Sequence, residues 1–97
     1  MQIFAVIAPE PNSSLRDAVL KAFPGRNFEV AAGQFLVSTN AATTQQVNEM
    51  IGLPGGRLGR AMVLHVVNWN GWHDKNIWEW MTAQSNESPG LGALGGG

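Results

Sequence analysis

Few side chains in this sequence are equipped for chemistry. His65 and His73 are the only ones whose ordinary titration falls near neutral pH, and Asp74 follows His73 directly. A His–Asp neighbour suits a general base or a pair of metal ligands. Either role needs more: a nucleophile, or a third donor, and nothing nearby supplies one. The plainer reading makes Asp74 the cap of a following helix, His73 an exposed turn residue, and His65 a side chain on the mixed face of a strand. Glu10, just past Pro9, is the one acid near the end of the first apolar run, and a lone loop acid is ordinarily solvated. Arg57 and Arg60 lie in GLPGGRLGR, a stretch with glycines and no acid, whose backbone N–H groups could cradle a phosphate. It lacks the Lys-Ser/Thr ending of a P-loop and leads into a strand, so a nucleotide site is excluded. What survives is a loose contact by Arg57 and Arg60 with the phosphates of RNA or DNA, against a plain connector. The four tryptophans, Trp69, Trp72, Trp78 and Trp80, could stack on bases, but only Lys75 lies near them and a basic groove is missing. Ile77, Trp80 and Met81 share a helical stripe and belong to a core or dimer contact. Trp69, Trp72 and Trp78 are the interface candidates.

These residues hang on a chain whose pattern is unusually apolar. Residues 61–67 (AMVLHVV) are interrupted only by His65, and residues 3–8 (IFAVIA) are apolar throughout. Both read as strands covered on two faces. Pro9 to Asn12 is a rigid, non-helical connection. A helix opens at Ser13 and Ser14, with Ser14 and Asp17 as an imperfect capping box. Its stripe is Leu15, Ala18, Val19, Ala22 and Phe23, and Pro24-Gly25 stops it. Residues 27–39 form a hairpin about Ala32-Gly33, with glycine free to take positive φ. A second helix follows, with Thr43 and Gln46 as capping box and Val47, Met50 and Ile51 toward the core. Gly52 ends it, and a loop leads to the strand over 61–67. The order β-α-β-β-α-β, plus a C-terminal helix, predicts an α+β, ferredoxin-like sandwich: a four-stranded antiparallel sheet with both crossover helices on one face. The first strand and the strand over 34–39 are then central, and the last is an edge. An edge apolar on both sides is a liability unless the Trp-rich segment or a second subunit covers it. Residues 1–84 read as a single domain and 85–97, rich in glycine, as a flexible tail.

Composition narrows the function classes. Charged residues are 13% of 97, about half the usual share, which predicts surface hidden against a second copy of the chain. Net charge is −1, so no global field favours nucleic acid or membrane. Without cysteine there is no disulfide, thiolate nucleophile or thiolate metal site. No leader or membrane span is evident, so a cytoplasmic location is expected, with no metal and no cofactor.

The opening IFAVIAPEPN, the hairpin ending in FLVST, the TTQQVNEMI helix, MVLHVVNWNGW and the closing WEWM together resemble the SinR-like family. These are small ferredoxin-fold proteins related to the CRISPR-adaptation endoribonucleases and the GhoS antitoxin. The resemblance spans about residues 2–82. In the nucleolytic relatives it implies an Asp at the end of the first strand that holds a divalent metal and is paired across a twofold axis. The matching place here is Ala8-Pro9, which can hold no metal and activate no water. Two functions follow. The favoured one is a non-enzymatic homodimeric binding or regulatory module with weak nucleic-acid contact. The alternative is a metal-dependent endoribonuclease in which Glu10 replaces the missing Asp.

Overall fold

A computed structural model describes residues 1–86. The first strand, β1 (Gln2–Ile7), is followed by helix α1 (Ser13–Ala22). The hairpin is β2 (Asn27–Ala31) and β3 (Gln34–Thr39). Helix α2 (Thr44–Ile51), strand β4 (Met62–Val66) and helix α3 (Lys75–Asn86) complete the chain. The sheet runs β2-β3-β1-β4, with every neighbouring pair antiparallel. This is the ferredoxin-like α+β arrangement, with α3 appended. No helix among the described residues is long and apolar enough to cross a membrane.

Local signals place most boundaries. Thr43 and Gln46 form the expected capping box, and Gly52 ends α2 at φ 94°. Gly33 turns the hairpin at φ 82°. The start of α1 differs from the sequence reading. Asn12 is the cap, its side-chain carbonyl accepting the Leu15 N–H at 3.0 Å, while Ser13 and Ser14 lie inside the first turn. An Asn held in extended backbone two residues earlier satisfies an orphan amide that the Ser14–Asp17 pair would have had to reach from within the helix. Helix α3 continues through Asn86, so Ser85 and Asn86 are helical rather than tail; the rest of that stretch lies outside the described residues.

Two cores sit on the two faces of the sheet. On one, Phe4, Val6, Phe35 and Val37 meet Leu15, Val19 and Phe23 of the α1 segment and Val47 and Ile51 of α2. On the other, Ile3, Ala5 and Leu36 meet Ile77 and Met81 of α3, with Phe28, Val30, Trp69, Trp78 and Trp80 around them. Arg26 Nη1 donates to Gln84 Oε1 at 3.1 Å and ties α3 to the start of β2.

Two expectations fail here. Met50 is 48% exposed rather than core, because the face of α2 that packs inward is narrower, limited to Val47 and Ile51. Strand β4 is not covered on both faces: Met62 and Leu64 are 57% and 48% exposed, and Val67, just beyond, 77%. The cause is topological. Helix α2 packs over β4 from one side and half-buries Val63, whereas on the other side α3 lies mainly over β1 and β2, so that only Val66 of β4 packs against its core and Met62 and Leu64 stay open.

Truncating Leu15 or Val47 to Ala should cost about 2–4 kcal/mol, the range for buried aliphatics, whereas Met50→Ala should cost under about 1 kcal/mol. Urea midpoints check both, and equal shifts for Val47→Ala and Met50→Ala would contradict the packing. A Cβ on Gly33 would lie 2.7 Å from the Glu10 carbonyl oxygen, on top of the positive φ. Gly33→Ala should therefore destabilise by on the order of 1–3 kcal/mol in the same measurement.

Candidate functional site

The end of β1 is built from backbone. The Ala8 N–H donates to the Gly33 carbonyl at 2.8 Å, and Gly33 leaves just enough room for the Glu10 carbonyl to pass. Ala8 is buried, and its neighbours Pro9 and Glu10 are exposed. The Glu10 carboxylate makes no hydrogen bond or ion pair among the described residues. Nowhere among the described residues do three His, Asp or Glu side chains gather as metal ligands would.

The histidines have separate surroundings. Alternation along β4 puts His65 on the α1/α2 side of the sheet, at the edge, where its ring stacks on Phe4 with centroids 4.7 Å apart. Its Nε2 lies 2.9 Å from Gln2 Oε1. His73 engages its neighbour through backbone: its Nδ1 accepts the Asp74 N–H at 2.8 Å, and the Asp74 carboxylate takes no part. Its ring meets Trp78 edge-on at 6.1 Å. Each histidine thus has one ring nitrogen engaged with an uncharged group, and among the described residues neither has a carboxylate orienting it as a general base.

The basic residues are more informative. Arg57 lines an open depression of about 610 Å³ with Lys21, above an apolar floor of Ala18, Ala22, Met50, Ile51 and Leu58. Arg60 is exposed and outside this lining. The structure therefore separates Arg57 from Arg60 and adds Lys21, which lies off the apolar stripe of α1. No spacing links Lys21 to Arg57; they meet because the loop before β4 crosses the end of α1. Asn12 secures that crossing, its Nδ2 donating to the Leu58 carbonyl at 2.6 Å. Two exposed cations with no acid in the lining can hold an anion that keeps most of its water, since neither is buried or fixed by a partner among the described residues.

Of the tryptophans, Trp69 and Trp78 are half-buried against the second core, and Trp80 tilts onto Phe28 at 5.8 Å. Trp72 is 99% exposed. With two of the three interface candidates partly consumed by the fold, the large apolar side chains left exposed in and just after β4 are Met62, Leu64, Val67 and Trp72.

Compared with family models, curated proteins and solved structures, the chain gives no significant match.

Asn12 carries two bonds at once, a helix cap and the tie to Leu58. Asn12→Ala should lower stability by about 1–3 kcal/mol, more than a cap alone, and Asn12→Ser should restore only the cap share. Thermal or urea unfolding distinguishes them; full rescue by Ser would show that the Leu58 bond contributes nothing.

Proposed function

We propose that this chain is a small non-enzymatic binding or regulatory module that works as a homodimer. The observation that carries it is β4, an edge strand without a charged side chain, whose Met62 and Leu64 face solvent beside the buried central strands β1 and β3. An apolar edge of this kind is aggregation-prone unless a defined partner occupies it. The low charge of the whole chain supports the same reading, and a second copy is the simplest self-consistent partner. The resemblance to the SinR-like family fits a dimer of this size. Ala8 and Pro9 at the end of β1 offer no carboxylate, and among the described residues Glu10 belongs to no cluster of metal ligands, which favours binding over phosphodiester hydrolysis.

Nucleic acid is a secondary ligand in this reading. Arg57 and Lys21, with Arg60 farther along the loop, supply only a few phosphate contacts, so binding is weak and sequence-independent.

Sedimentation at micromolar concentration should return twice the monomer mass. Single-stranded RNA incubated with Mg²⁺ or Mn²⁺ should remain uncut above background, in wild type and in Glu10→Ala alike. A monomer would remove the dimer reading, and cleavage lost in Glu10→Ala would establish the nuclease instead. Any RNA affinity should fade with added salt, and Arg57→Ala should reduce the slope of log K against log salt by about 1.

A further inference from the structure

The backbone of β4 has a definite phase, and it can be read from the hydrogen bonds around it. The Ala8 N–H reaches the Gly33 carbonyl at 2.8 Å, so Ala8 turns its amide toward the β3 side. Backbone groups alternate along a strand, so Phe4 and Val6 also bond β3, and Ile3, Ala5 and Ile7 bond β4. Their partners across the ladder are Val66, Leu64 and Met62. The Ser38 N–H, bonded to the Arg26 carbonyl at 2.9 Å on the β2 side, gives the same phase from β3. Val63 and His65 are left with N–H and C=O directed away from the sheet, on a strand with no proline or charged side chain to block a visitor.

We propose that two copies join through this edge, β4 against β4 in antiparallel orientation, about a twofold axis at Leu64. This rests on the homodimer reading and gives it a geometry. In an antiparallel pair, an outward-bonding residue must face another outward-bonding residue. A twofold axis at Leu64 meets that rule and is the register that pairs the whole strand, Met62 to Val66, with its copy. Val63 and His65 then exchange both backbone bonds with His65 and Val63 of the other copy. Leu64 faces Leu64 in a non-hydrogen-bonded pair, with Cα atoms about 4.5 Å apart. Met62 faces Val66. All three of these side chains lie on the α3 side of the sheet, where the fold leaves Met62 and Leu64 open, so the pairing joins apolar to apolar and opposes no like charges. The two four-stranded sheets become one of eight strands, and each covers the other's exposed edge.

The chain has no cysteine, so a single introduced thiol reports the register directly. Leu64→Cys, Met62→Cys and Val66→Cys are each prepared, and covalent dimer formation is followed under mild oxidation alongside sedimentation of the reduced proteins. Leu64→Cys should cross-link to itself at least about tenfold faster than the other two, because the two Cα atoms at position 64 fall within disulfide reach. Thiols introduced at 62 or 66 would be offset from their own copies by four residues, about 13 Å along the strand. A dimer by sedimentation without preference for position 64 overturns the edge pairing and leaves the homodimer standing; a monomer by sedimentation overturns both. As a second arm, His65→Pro removes an outward N–H while leaving every bond from β4 to β1, and should yield a folded monomer by circular dichroism and sedimentation. A folded His65→Pro dimer of wild-type affinity overturns the proposal, and if that variant does not fold, the cysteine comparison decides alone.

Discussion

Strand β1 is the constraint on which the rest depends. Its backbone bonds β3 on one side and β4 on the other, and Ile3 to Val6 are buried on both faces. No residue from Ile3 to Val6 has a spare direction: Phe4 and Val6 fill the core under α1 and α2, while Ile3 and Ala5 fill the core under α3. That full commitment explains why the segment is apolar at every position. It also means the strand cannot slip, since a shift of one residue would exchange the two cores.

The consequences spread outward from β1. The amide just past its end, at Ala8, docks on Gly33, which sets the path of the loop through Glu10 and delivers Asn12 to cap α1 and hold Leu58. That loop in turn places Arg57 beside Lys21. On the other flank, β1 dictates which β4 amides point inward, and so which ones are open. The chemistry near the strand end and the exposed edge are two results of a single ladder phase.

Much of this was legible in the sequence. Element order, the central position of β1 and β3, the α1 stripe, the hairpin glycine and the α2 capping box follow from patterns within a dozen residues, where periodicity and turn chemistry act. The differences have several physical causes. An apolar run such as residues 61–67 reports that both faces tolerate burial, and it does not report which elements are placed to cover them; the α3 core takes in Val66 but leaves Met62 and Leu64 open. Met50 obeys the helical stripe of α2 but falls past the width of the contact. Asn12 takes the cap rather than Ser14 because a cap needs an extended residue before the helix, and Asn12 has that backbone, at φ −150° and ψ 101°. Lys21 joined Arg57 through a tertiary crossing that no local pattern encodes.

Low charge, an open apolar edge and one outward backbone phase are the grounds on which we propose β4 as the working surface of this protein. The most direct test is amide hydrogen exchange along β4 as a function of protein concentration. If two copies pair there, the Met62, Leu64 and Val66 amides are protected at every concentration, whereas those of Val63 and His65 exchange quickly in dilute protein and gain protection as dimer forms. Val63 and His65 amides that exchange at the same fast rate at all concentrations, in a sample that sedimentation shows to be dimeric, would contradict the account.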